Sequence, residues 1–201
     1  MKKLPHSFYL QHDVVQIAKA LLGKVLVTAW NGVPTTGRIV ETEAYAGTGD
    51  KASHAYRGRT PRTAVMFAEG GTAYIYLCYG IHQMFNIVTN VDGIPHAVLI
   101  RAVEPIEGIN IMLQRTGKKG ADFTLTRGPG NVGKAMGFHT SQTGLSLQRD
   151  ELFIADDGFI VPEEMIRATP RIGVAYAAED ALLPYRFYIT GNPYVSGKKE
   201  K

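Results

Sequence analysis

The sequence predicts a single α+β domain of mostly antiparallel strands with a few flanking helices. Short β-branched and aromatic runs recur along the chain, and the hairpin dipeptides Asn31-Gly32 and Asp157-Gly158 punctuate them. Helical periodicities are few and short. The 201 residues contain no internal repeat and no Pro-, Gly- or Ser-rich linker long enough to separate domains. With 45% hydrophobic and 20% charged residues, a core forms without covalent staples. Cys78 is the one cysteine, which excludes an intrachain disulfide and fits a reducing compartment. No apolar run reaches membrane-spanning length, and the N-terminus MKKLPHSFYL lacks a signal region. The expected location is cytoplasmic or nuclear, not secreted and not membrane-bound. The net charge of +4 is compatible with a nucleic-acid partner without requiring one.

Residues 1–5 read as a loose tail. Asp13 is an N-cap for a helix whose apolar face carries Val14, Ile17, Ala18 and Leu21, and Gly23 stops it. KVLVTA (24–29) reads as a strand that Asn31-Gly32 returns into GRIVETEAY (37–45). Period-two alternation puts Ile39, Glu41, Glu43 and Tyr45 on one face of that strand, and Val40, Thr42 and Ala44 on the other. A desolvated carboxylate there serves as a base, beside an aromatic ring that holds a flat ligand. On an edge strand, the same two glutamates are merely solvated.

Residues 46–71 are loop-rich, with a short helix expected from Thr60-Pro61 to Phe67. His54, Arg57, Arg59 and Arg62 lie here, and the three arginines suit either a solvated loop or phosphate contacts. TAYIYLCY (72–79) and QMFNIVT (83–89) form a tyrosine-rich hairpin around Gly80, with Tyr79 projecting at the turn. HAVLIRAV (96–103) is a strand on which Leu99 and Arg101 share a face, and a charge inside it needs a partner. Pro105 is read as opening a helix with Ile106, Ile109, Met112 and Leu113 as its stripe, closed by Gly117; Arg115, Lys118 and Lys119 gather at its end.

GPGNVGKA (128–135) has the spacing of a phosphate-binding loop but lacks the required context. Ala135 stands where Ser or Thr must hold magnesium, DFTLTR is a poor buried strand, and Pro129 removes an amide. The segment is instead a turn leading into a helix over 131–136. Short strands are expected at 145–154, 159–162, 164–168, 172–175 and 185–190, and residues 197–201 are expected to be a flexible tail. The six histidines are scattered without ligand spacing, so no metal site is expected. Cys78 reads as a small buried hydrophobe, and no GxSxG elbow occurs.

Taken in order, LLGKVLV, GRIVETEAY, His54, GTAYIYLCYG with Asn86, LIRAVEPIEG, RGPGNVGKAMG and PYRFYITGNPYVS resemble the alkyladenine (3-methyladenine) DNA glycosylases of the single-domain, metal-independent type. The resemblance runs from about Ser7 to Ser196. It implies a curved antiparallel sheet with a protruding DNA-inserting hairpin. The activity implied is base excision repair of alkylated or deaminated purines, with double-stranded DNA bound through the minor groove by a monomer and no cofactor. By the same resemblance Glu43 is the general base and Arg101 helps hold the attacking water. Tyr45, His54 and Tyr76 enclose the flipped base, with Asn86 facing the purine edge and Leu99 an apolar lining residue. Tyr79 is the wedge that fills the vacated stack. Ile81 replaces a methionine found beside the wedge in some members, and the turn DGIPHA (92–97) is slightly longer than in some relatives. Two rival readings are a carbohydrate hydrolase using Glu41 and Glu43 as a carboxylate pair and a catalytically silent lesion-binding protein using tyrosine stacking and basic loops. Under the glycosylase reading, Glu41→Gln is expected to be a much milder change than Glu43→Gln.

Overall fold

The computed structural model describes residues 1–197 and the four residues beyond them lie outside the description, so of the tail expected at 197–201 only Gly197 is described. The described residues form one curved, antiparallel sheet of nine strands with helices packed on it, a mixed α+β architecture. The strands are β1 (Lys2–Lys3), β2 (Val25–Trp30), β3 (Val33–Tyr45), β4 (Ala73–Cys78), β5 (His82–Thr89), β6 (His96–Glu107), β7 (Leu152–Asp156), β8 (Ile166–Thr169) and β9 (Arg186–Ile189). Their order is β1-β7-β2-β3-β6-β5-β4, with β9 pairing β3 and β8. Strand β3 is the hub. Its first half pairs β2 through the Asn31-Gly32 turn, its second half pairs β9, and β6 runs along its other edge. Both glutamates of β3 are therefore central, and the edge-strand reading fails.

The helices are α1 (His6–Tyr9), α2 (Val14–Ala20), α3 (Ile109–Thr116) and α4 (Pro129–Ala135). Asp13 caps α2 by accepting from the amides of Val15 and Gln16. Ile17 and Ala18 of α2 pack in the main core with Val40 and Ala44, and Thr42 donates to the Ala18 carbonyl. That face of β3 is spent on packing. The opposite face is left to Glu41, Glu43 and Tyr45.

Several expectations shift. Lys2 and Lys3 pair with β7, so the N-terminus is not loose. The Thr60-Pro61 helix shrinks to a 3-10 turn at Ala64–Phe67, because Thr60 caps a tight turn through Thr63 instead. Pro105 does not start α3: it sits in β6 opposite Gly37 at a register shift, where a missing amide is tolerated, and Gly108 starts the helix. Ile106 thus lies half-exposed on the strand. The runs at 145–151, 159–162 and 172–175 are not strands, and no strand follows Asp157-Gly158 to make a hairpin. Asp157 instead pairs with Arg38. Cys78 is only half-buried, since β4 leaves the core near the hairpin turn.

GPGNVGKA opens α4 and packs against β5. The segment before it is a 3-10 turn, Phe123–Leu125, not a buried strand. A Cβ on Gly133 would sit 1.8 Å from the Gln83 carbonyl oxygen, so Gly133 exists to let helix and sheet backbones touch. Gly133→Ala must push α4 off β5, and it is expected to cost about 1–3 kcal/mol or more in chemical denaturation. An unchanged midpoint would show that the backbones do not meet there.

Candidate active site

Two compensating bulges shape the site. Between Ile39 and Glu41 the β3 strand carries an extra residue relative to β6, and between Ile100 and Ala102 the β6 strand carries Arg101 as its extra residue. A bulge re-aims a side chain, and Arg101 is re-aimed at both carboxylates. Its Nε donates to Glu41 Oε1 at 2.8 Å, and its Nη1 lies 3.2 Å from Glu43 Oε1. Burial alone would depress the guanidinium's pKa, yet the Glu43 and Glu41 charges outweigh it and hold it raised.

Both glutamates have 0% exposure, but their partners differ. Glu41 is saturated. Its Oε1 accepts from Arg101 Nε, from Arg186 Nε at 2.7 Å and from the Ser196 hydroxyl, and its Oε2 accepts from the Ser196 amide. Glu43 Oε1 accepts from the Ile172 amide at 2.8 Å and faces Arg101, whereas Oε2 accepts only from the Tyr45 hydroxyl, at 2.8 Å. A carboxylate oxygen has two lone-pair positions, so Glu43 Oε2 keeps one open beside the Tyr45 hydroxyl, whereas all four hydrogen bonds to Glu41 come from Arg101, Arg186 and Ser196. A carboxylate pair flanking a sugar needs both groups free, so the carbohydrate reading fails on Glu41.

The register aligns Arg186, Glu43, Leu99, Asn86 and Tyr74 in one row across adjacent strands, and opposed residues share a face. That face carries a small pocket, open to solvent and lined by Tyr45, His54, Tyr74, Tyr76, Asn86 and Tyr176 among others. Burial, then the Glu43 charge, pushes the Tyr45 hydroxyl well above its ordinary pKa, which keeps it a donor to Glu43. Burial raises Tyr74 and Tyr76 likewise. Leu99 lies beneath the pocket between Glu43 and Asn86 without lining it. Asn86 donates from Nδ2 to the Tyr74 and Met84 carbonyls, so its amide orientation is fixed and Oδ1 is its uncommitted end.

Tyr79 is not in this pocket. It stands at the tip of the β4–β5 hairpin with 89% exposure, beside Ile81. The turn from Cys78 to Ile81 closes with Ile81 N donating to Cys78 O, and both Tyr79 (φ 51°) and Gly80 (φ 72°) are left-handed. That is a strained conformation for a bulky side chain. Arg57, Arg59 and Arg62 are all exposed, with Arg62 over the Tyr76 ring at 5.6 Å.

Sequence reasoning missed the supports of the site. Arg171 is fully buried, bidentate to Asp50, and also donates to the Ala44 carbonyl; its guanidinium lies 4.8 Å from the centroid of the Tyr45 ring. Arg186, Ser196, Tyr74, Tyr176 and the Ile172 amide were also not singled out. The available signal was charge within otherwise apolar runs, since Arg171 and Arg186 lie in PRIGVAY and PYRFYIT. Among the described residues, no helix is long and apolar enough to cross a membrane.

These features meet a known family. The family model of methylpurine-DNA glycosylases matches residues 7–193, and the chain belongs to that family of DNA-repair hydrolases acting on N-glycosidic bonds. Proteins named "Putative 3-methyladenine DNA glycosylase" from Bacillus thuringiensis (strain Al Hakam), Bacillus cereus (strain Q1) and Bacillus anthracis (strain A0248) are each 46% identical to it. Each alignment spans 207 residues and covers 96% of this chain and 98% of the relative.

The burial pattern gives Glu41 a cost in folding stability. Glu41→Gln removes a charge that compensates two buried arginines, so a loss of about 3–5 kcal/mol of folding stability is expected. Denaturant melts of the variant check this, and a loss under about 1 kcal/mol would mean the arginines find other partners.

Proposed function

We propose that this chain binds duplex DNA through the minor groove as a monomer, extrudes an alkylated or deaminated purine such as 3-methyladenine, and hydrolyses its bond to deoxyribose with a water activated by Glu43. The observation that carries this reading is the asymmetry of the two buried carboxylates. Glu41 is spent on the fold, whereas Glu43 is joined through the Tyr45 hydroxyl to the wall of an aromatic pocket and keeps an acceptor position on Oε2. Glu43 is closed off from solvent, so the water enters only when that wall shifts around an occupant.

In this reading the base leaves the stack at a cost of a few kcal/mol. Tyr79 offsets the cost by filling the gap, and its exposure and fixed turn suit that task. The exposed Arg57, Arg59 and Arg62 supply phosphate contacts. Tyr45 and Tyr76 sandwich the base with the His54 ring, which meets Tyr76 edge-on at 4.5 Å. Arg101 faces Glu43 Oε1 at 3.2 Å and helps position the water. As the bond to the purine breaks, the water oxygen attacks C1′ and gives its proton to Glu43, whose negative charge stabilises the oxocarbenium-like state. No amine nucleophile is needed, so the product is an abasic site without a Schiff base.

Glu43→Gln is expected to abolish base release from methylated duplex DNA while affinity for lesion DNA stays within about tenfold, because shape survives and the base does not. Residual release near wild type in single-turnover assays would remove Glu43 from the mechanism. Release abolished together with affinity would favour a structural role. Tight lesion binding without any release by the wild type would support the silent binder.

Asn86 is assigned to the exclusion of guanine. Its amide donors are committed to backbone carbonyls, so a clash of donors with guanine's exocyclic amine is not the barrier, and bulk is. Asn86→Ser is therefore expected to raise guanine excision relative to alkyladenine, by a discrimination of about 1–3 kcal/mol. Single-turnover rates on both bases test this, and an unchanged ratio moves the barrier to another residue.

A further inference from the structure

His54 stands at the rim of the pocket with one hydrogen bond from its ring: Nδ1 lies 2.9 Å from the Tyr74 hydroxyl. Among the described residues its Nε2 has no hydrogen-bond partner. Tyr74 is a buried residue of β4 with 3% exposure, locked in the row that runs through Asn86 and Leu99 to Glu43. The Arg62 guanidinium interacts with that same hydroxyl.

A guanidinium has donors only. Beside Arg62, the Tyr74 oxygen turns its lone pairs to the cation, and its single proton goes to the other neighbour, His54 Nδ1. An imidazole that accepts at Nδ1 while neutral carries its proton on Nε2. The groups facing His54 are Tyr74 and Tyr76 of β4 and Arg62 of the preceding loop, and none of them is an anion at neutral pH. Partial burial, then the Arg62 charge, lowers the His54 pKa, so the ring stays neutral there.

We infer that Tyr74, polarised by Arg62, is a positioning residue that fixes His54 as the Nε2–H tautomer and so gives the pocket a neutral hydrogen-bond donor for the departing purine. This rests on the glycosylase reading above. The donor serves a particular class of substrate. A cationic alkylpurine departs as a neutral molecule and gains little from a donor. A neutral lesion such as hypoxanthine departs with the electron pair of its glycosidic bond, and a hydrogen bond to a ring nitrogen stabilises the charge that develops. No proton needs to transfer to the purine: the bond to C1′ breaks, water closes on C1′, and its proton goes to Glu43.

The test combines kinetics with tautomer detection. Tyr74→Phe keeps the ring and removes the hydroxyl. Single-turnover excision of hypoxanthine is expected to fall at least about tenfold more than excision of 7-methylguanine. In a His54→Gln background, whose amide donor needs no tautomer control, Tyr74→Phe should no longer change that ratio. Nitrogen-15 spectra of histidine-labelled protein should show Nε2–H on His54 in the wild type and a tautomer mixture in Tyr74→Phe. An Nδ1–H tautomer in the wild type, an equal fall for both lesions, or a wild type that releases 7-methylguanine but no neutral purine would overturn the inference. Failure of the glycosylase reading looks different: no base of either kind is released, whatever tautomer the spectra report.

Discussion

The buried carboxylate of Glu41 is the point on which this structure turns. An uncompensated charge in that position is untenable, and the fold answers it with two guanidinium groups and two groups of Ser196. Those partners come from β6, from β9 and from the segment after β9, so one side chain of β3 ties together strands distant in sequence. The bulge that aims Arg101 at Glu41 also brings it to Glu43. Glu43 is thereby positioned by the network that neutralises Glu41. A pre-organised site of this kind has its supporting groups locked before a ligand arrives.

A second buried pair, Arg171 with Asp50, bears on the aromatic pocket. Arg171 lies against the Tyr45 ring, and a cation on one face of an aromatic competes with a cationic ligand on the other. The bidentate carboxylate of Asp50 cancels most of that field at short range. Asp50 also accepts from the Ala46 and Ala52 amides, pinning the loop after β3, and the residue following Arg171 supplies the amide that holds Glu43 Oε1. This pair therefore holds in place both the loop after β3 and the segment that donates to Glu43.

What the sequence discloses and what it hides divide along range. The Asp13 cap, the Asn31-Gly32 hairpin and the tyrosine-rich hairpin around Gly80 are specified by residues within a few positions of one another, and the structure contains them. Residues 145–151 and 172–175 have strand composition, but the first makes only an isolated bridge from Ser146 to Thr72 and the second joins none of the described strands, and strand formation is decided by partners. Pro105 misleads because its fixed φ suits a helix start and a bulged strand equally. In the site, the alternation of Glu41, Glu43 and Tyr45 is readable from the strand's twofold period. Arg186 and Ser196 meet Glu41 across 145 and 155 residues, and Arg171 meets Asp50 across 121, separations that no periodicity encodes.

Tyr79 shows where local rules and function diverge. The tip of a two-residue hairpin turn in this left-handed geometry favours Asn or Gly at its first position, and a tyrosine there costs on the order of 1–3 kcal/mol. Its side chain recovers nothing from the folded protein, since it stands almost wholly in solvent. Strain without packing return is hard to account for within the isolated chain. It becomes intelligible if the ring's partner is outside the molecule: the strained turn holds an aromatic clear of the surface, with its orientation fixed before contact. The buried end of the same hairpin carries Tyr74, Tyr76 and Asn86. One β-hairpin thus links the exposed ring to the pocket by a rigid ladder, and a partner engaged at the tip would be held at a set distance from that pocket.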